Sequence, residues 1–145
     1  MPDPSSAAEV RDLLASCRHI AVLGAHSTRE RPAFYVPDYM HAQGYEIYPV
    51  NPGGVGQTWW GRPVVATLAE LRTPIDVVDV FRRPDQLPAH LDDLLDMDPL
   101  PKVVWLQLGI RHDEIAAQLR DLGIRVIQDR CMLADHRLLG MGAFC

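Results

Sequence analysis

The chain has 145 residues, enough for one domain with a closed hydrophobic core. Hydrophobic residues make up 48% of it and charged residues 23%; the formal net charge of -5 excludes a general nucleic-acid binder, which needs a basic surface to neutralise phosphates. The longest apolar runs are strand-sized, too short for a membrane-spanning helix, and Met1-Pro2-Asp3-Pro4 lacks the basic and apolar regions of a secretory signal. Cys17, Cys131 and Cys145, widely spaced and odd in number, suit reduced thiols in a cytoplasmic protein rather than a disulfide framework or a zinc site.

Ser6-Ala7-Ala8-Glu9 has the form of a capping box, and Val10, Leu13, Leu14 and Cys17 follow at helical spacing. Residues 1–17 are therefore expected to form a helix packed on a single domain that takes up the whole chain, 1–145. His19-Ile20-Ala21-Val22-Leu23-Gly24 reads as a buried strand running into a glycine. A polar loop from Ala25 to Pro32 precedes a helical pattern that stops at Gly44. Pro37 is best tolerated in a first helical turn, which puts the start of that helix near Val36. Tyr45 to Val50 is a second strand, stopped by Asn51-Pro52-Gly53-Gly54, and the stretch from Val55 to Val65 is read as irregular.

Thr67-Leu68-Ala69-Glu70 caps a further short helix. Asp76 to Phe81 is a third strand, followed by Arg82-Arg83-Pro84 and a helix to about Leu95. Lys102 to Leu108 is a fourth strand ending at Gly109, Asp113 to Leu122 an amphipathic helix closed by Gly123, and Ile124 to Gln128 a fifth strand. Strands alternating with helices predict an α/β domain, Rossmann-like and doubly wound, with a five-stranded, mainly parallel sheet and helices on both faces. Val-, Ile- and Leu-rich strands without strict alternation agree with burial on both sides.

In such a domain, ligands sit at the carboxyl ends of the strands, near the topological switch point. Gly24, Ala25, His26 and Ser27 follow the first strand, where a tight loop and the next helix N-terminus can offer N–H groups to a phosphate. Only the first glycine of G-x-G-x-x-G is present. Arg31 can add a positive charge. At the end of the second strand, Val50-Asn51-Pro52 stands where an NAD-binding domain places Asp or Glu for the ribose. Arg82 and Arg83, at a strand-to-helix junction, form a good anion site through their guanidinium groups.

Taken together and in order, Gly24-Ala25-His26-Ser27, Arg29-Glu30-Arg31-Pro32, Pro49-Val50-Asn51-Pro52, Asp76-Val77-Val78-Asp79-Val80-Phe81-Arg82-Arg83, Trp105-Leu106-Gln107-Leu108-Gly109 and Asp129-Arg130-Cys131 resemble the small bacterial CoA-binding domain proteins. Those are similar to the N-terminal CoA-binding domain of the succinyl-CoA synthetase α subunit. The resemblance runs from about His19 to Gly140. It implies coenzyme A or an acyl-CoA laid across the strand ends. The loop of Gly24, Ala25, His26 and Ser27 would face the pyrophosphate; Asn51, Pro52, Val80, Phe81, Arg82 and Arg83 would flank the adenosine; Gln107 and Gly109 would lie nearer the pantetheine. The chain departs from the family pattern at Ala33, where Ser is usual, and at Gly53, where a basic residue near the 3′-phosphate is frequent.

The remaining reactive residues read as structural. His26 is a loop residue whose backbone matters most, and His19, His41, His90, His112 and His136, without metal-ligand spacing, are surface groups. Cys131 is a packed, inert thiol despite the adjacent Arg130. Asp76 and Asp79 are strand-edge polarity or loop anchors, and Trp59, Trp60 and Trp105 are core or interface mass. The expectation is a non-catalytic module for CoA or acyl-CoA, with no catalytic or metal-binding residue assigned. Its partner is a small-molecule nucleotide, with no nucleic acid and no membrane, and a homo-oligomer remains open. The alternatives are an NAD(P)-binding oxidoreductase or an accessory subunit of a split acyl-CoA synthetase. The incomplete glycine fingerprint counts against the first; the second would need further domains and a phosphorylated histidine from a separate chain.

Overall fold

A computed structural model describes residues 7–138. Five parallel strands form one sheet: β1 (His19–Leu23), β2 (Glu46–Val50), β5 (Val77–Val80), β6 (Val103–Leu106) and β7 (Arg125–Ile127), in the spatial order β2-β1-β5-β6-β7. Two-residue strands β3 (Thr58–Trp59) and β4 (Arg62–Pro63) pair antiparallel beside the main sheet. The strand order reverses between β1 and β5, which makes their adjacent carboxyl ends the switch point. Leu23 pairs with Val50 on one side and Val80 on the other, so three strand ends finish in register there.

Alternate strand residues feed two separate cores, as the two-residue period of a strand dictates. Ala21, Leu23, Val78, Val80, Val104 and Leu106 meet Leu87 and Leu94 of α3 (Leu87–Leu95) and Ile115 and Leu119 of α4 (Asp113–Asp121). On the other face Ile20, Val22, Val77, Val103 and Trp105 meet α1 (Ala7–Ser16), α2 (Pro32–Ala42) and α5 (Met132–Leu138) through Val10, Leu14, Val36, Met40 and Met132. All four residues of β5 and all four of β6 are buried. The doubly wound α/β architecture read from the apolar runs is therefore the one present. No helix among the described residues is long and apolar enough to cross a membrane.

Several expectations need correction. Helix α2 begins at Pro32 rather than near Val36, because Pro32 itself fills the first-turn position and Pro37 lies inside the helix. Proline has no N–H, so Pro37 leaves the Ala33 carbonyl without its ordinary helical donor. That carbonyl accepts the His26 N–H at 3.3 Å instead, which ties the loop after β1 to the helix. Asp76 is a loop anchor as expected: its Oδ2 accepts the Arg18 and His19 N–H groups at 2.8 and 2.9 Å. Asp79 is not strand-edge polarity. It sits in the middle of β5, 1% exposed, between Val22 and Trp105 of the neighbouring strands. His136 is not a surface group either, for it is wholly buried on α5. His112 caps α4, its Nδ1 accepting the Ile115 N–H. The N-terminal helix is present as α1, while the Ser6 half of its capping box lies outside the described residues. Glu70 closes its own small box, its Oε2 accepting both the Thr67 N–H and hydroxyl.

Candidate functional site

The loop after β1 is built by backbone demands. Gly24 has φ 88°, a left-handed value that side chains resist, and a Cβ there would stand 2.7 Å from the Phe81 carbonyl oxygen. Only glycine lets β1 and β5 end this close together. The Gly24 N–H donates to the Val50 carbonyl, and Asn51 Nδ2 donates to the Ala25 carbonyl at 2.8 Å. Asn51 Oδ1 in turn accepts the Gly53 N–H. Asn51 therefore stitches the ends of β1 and β2 with both ends of its amide. His26 turns inward on its own loop, Nδ1 accepting the Thr28 N–H.

Among the described residues, two cavities open at these strand ends. The first, about 390 Å³, is lined by Arg31 at the N-cap of α2, Ala33 and Tyr35 from α2, Phe81 to Pro84 after β5, Gln107 to Ile110 after β6, and Cys131. The second, about 360 Å³, lies beside Leu23 and Pro52 and is walled by Thr67 and by His90, Asp92, Asp93 and Asp96 of α3. Arg82 lines both. Each volume falls at the lower end of the range for small-molecule sites. Of the residues singled out from sequence, Arg31, Phe81, Arg82, Arg83, Gln107 and Gly109 line the first cavity, and Pro52 joins Arg82 in the second. Gly24, Ala25, His26, Ser27, Asn51 and Val80 line neither; Val80 is a core side chain, and the others shape the loops behind the cavity walls.

The electrostatics of the two cavities differ. The first carries three arginines and no carboxylate. Arg82 Nε is buried without a hydrogen-bond partner, packed against Gly24. An unpaired buried N–H donor costs about 1–3 kcal/mol, and an anionic acceptor is the kind of group that would satisfy it. Arg83 is exposed and lies 3.6 Å from Asp85, a loose pair of little energetic weight. In the second cavity Asp93 is held by the Leu68 and Ala69 N–H groups. Burial, reinforced by the nearby Arg82 charge, lowers the His90 pKa from its ordinary value and favours the neutral ring.

The far wall of the first cavity is stitched just as closely. Gly109 donates its N–H to Asp129 Oδ1 at 2.6 Å, with Asp129 itself in a left-handed turn at φ 56°. Gln107 Oε1 accepts the Met132 N–H, and Trp105 Nε1 donates to the Arg130 carbonyl. Cys131 is half-buried in this wall rather than packed away from any ligand. Leu108, from the Gln107 to Gly109 segment, completes it together with Tyr35 and Ile110, which the sequence does not mark except by adjacency: Tyr35 lies one helical turn after Arg31, and Ile110 follows Gly109.

A CoA binding domain family model matches residues 18–137. The chain belongs to that CoA binding domain family. The uncharacterised protein YneT of Bacillus subtilis (strain 168) is 37% identical over 136 residues, 94% of this chain and 97% of its own length. Among solved structures, cell-free ID.343 from Thermus thermophilus is 45% identical with a TM-score of 0.88, covering 92% of this chain and 98% of its own. A dinucleotide forming acetyl-coenzyme A synthetase 1 from Ca. Korarchaeum cryptofilum shares the fold at 18% identity and a TM-score of 0.63. The match covers 74% of this chain but only 25% of that enzyme.

Proposed function

We propose that this chain binds coenzyme A or an acyl-CoA across the carboxyl ends of β1, β5 and β6, with no bond-making step of its own. The observation that carries this reading is Arg82, a guanidinium with an unpartnered buried Nε on the wall shared by two cavities. A ligand matching that arrangement has two arms joined by an anionic middle. CoA has that form: an adenosine and a pantetheine joined by a pyrophosphate. Family membership supports the same ligand.

In this reading Arg82 holds the pyrophosphate, and Arg31 and Arg83 add positive charge at the mouth of the first cavity. The adenosine lies beside Pro52, and the pantetheine runs along Gln107, Leu108 and Cys131. Gly24 and Asn51 act indirectly, by holding the strand ends close enough for one ligand to cover both.

Calorimetry of CoA and dephospho-CoA against Arg82→Ala tests this. A charge-assisted hydrogen bond to phosphate contributes about 1.5–3 kcal/mol, so the variant should bind CoA roughly ten- to a hundredfold more weakly. Both ligands should suffer alike if Arg82 holds the pyrophosphate. Unchanged affinity for CoA in Arg82→Ala would refute the assignment.

A further inference from the structure

Helix α5 is joined directly to the first cavity. Cys131, the residue before it, lines the cavity, and its first N–H, on Met132, is held by the cavity residue Gln107 at 3.1 Å. A bidentate pair from Arg130 Nε and Nη2 to the Asp135 carboxylate, at 2.7 and 2.9 Å, fastens its first turn to the segment after β7. The rest of α5 rests on α1 and α2. The wall at Gln107 and Cys131 is therefore coupled to the docking of α5 through the Gln107 side chain and the Cys131–Met132 step.

At the centre of that docking surface is His136, wholly buried. Its ring lies edge-on to Tyr39 of α2 and Tyr45 ahead of β2, with centroids 5.4 and 5.8 Å away. Nδ1 shares a hydrogen bond of 2.9 Å with the Tyr39 hydroxyl, while Nε2 is buried without a partner. A neutral imidazole tolerates this setting; an imidazolium, with two N–H donors and a full charge, does not.

We propose that α5 is an acid-releasable latch: protonation of His136 undocks the helix, and the cavity wall at Gln107 and Cys131 goes with it.

Among the described residues, the groups around the ring offer no compensating charge. From α2 comes the Tyr39 hydroxyl, and the Tyr39 ring lies under the Arg137 guanidinium, 5.5 Å from Cζ to the ring centroid. Ahead of β2, Tyr45 donates its hydroxyl to the Leu14 carbonyl of α1. Cys17, at the end of α1, is a thiol that burial pushes up to about 11, so it remains neutral in acid. Asp79, in the same core face, has its pKa pushed up by burial, and Asp135 is engaged by Arg130. Desolvation lowers the His136 pKa below its ordinary 6.5. Because the folded value lies below the undocked one, docking is fully favourable above about pH 6.5 and weakens as the pH falls towards the folded value. Within that window the opening equilibrium should rise as the pH falls, by at most about tenfold per pH unit.

The test is hydrogen exchange of the α5 amides at pH 7.5 and 5.0, corrected for intrinsic rates, alongside the His136 ring shift followed by NMR. The latch predicts that protection of α5 falls several-fold more than that of β5 and β6, over the range in which the His136 ring begins to charge. His136→Phe, if it folds, should show no such selective loss. CoA affinity, measured over the same range, should fall in parallel for the native chain. Selective protection unchanged down to pH 5.0, or lost without any change at His136, would overturn the latch. The exchange measurement needs no ligand, so absence of CoA binding at pH 7.5 would refute the function proposed above and leave the latch to be decided by α5 alone. A latch confirmed with CoA affinity independent of pH would remove its connection to the cavity.

Discussion

A single carboxylic acid makes the strongest demand on this structure. Asp79 occupies a position in β5 where its neighbours in the sheet are Val22 and Trp105, and neither of its oxygens has a hydrogen-bond partner. Burial holds its pKa well above the ordinary carboxylate value. A carboxyl whose folded pKa is raised favours the fold at low pH, where both states are protonated. It then costs stability progressively as the pH rises from about 4 towards the folded value. Asp79→Asn keeps the shape and removes the ionisation. Urea unfolding midpoints should therefore agree for the two proteins near pH 4 and separate in favour of Asp79→Asn towards pH 8. Parallel pH profiles would show that Asp79 is not the group responsible. Nothing in the sequence marked this residue as different from Asp76, three positions earlier. The two diverge because Asp76 lies just before the strand, near free N–H groups, and Asp79 points into the sheet face covered by α1, α2 and α5.

Elements were legible where the apolar pattern was continuous. The five main strands appear where runs such as Val77-Val78 and Val103-Val104 predict them, each trimmed by one or two residues at the ends. Packing overrides the simple proline preference at one place: Pro37 suits a first turn, yet Pro32 already satisfies that preference and the loop N–H of His26 fills the gap Pro37 makes. Helix α5 and the β3–β4 pair were invisible because short segments depend on tertiary contacts rather than on periodicity: His136 on Tyr39 and Tyr45 for the one, Trp60 on Phe34 and Asp38 for the other. The candidate site was legible at its charged positions, Arg31, Arg82 and Arg83, and less so at loops whose residues shape the backbone without reaching a cavity. The sheet itself gives a direct check. Val104 is 1% exposed between β5 and β7, so Val104→Ala should cost roughly 1–3 kcal/mol in chemical denaturation through lost burial and a small cavity. A cost near zero would mean that β6 is not covered on that face.

On the scale of the whole molecule, the topology explains why the site lies where it does. Parallel strands bring all their carboxyl ends to one edge, and the reversal between β1 and β5 opens a crevice there that no crossover helix fills. Into that crevice the chain places an arginine whose buried Nε has no hydrogen-bond partner among the described residues, on an acidic protein of net charge -5. A ligand that binds only the folded state must raise its stability by mass action, so the thermal midpoint reports on the ligand with no assumption about activity. The measurement closest to the central claim is therefore the midpoint of the native chain with CoA and, separately, with NAD(H), at equal concentrations many times the expected dissociation constant. Binding at a hundred times that constant adds about 2.7 kcal/mol, a shift of several degrees for a domain of this size. The account predicts a clear rise with CoA and a smaller one or none with NAD(H); an equal or larger rise with NAD(H) would contradict it.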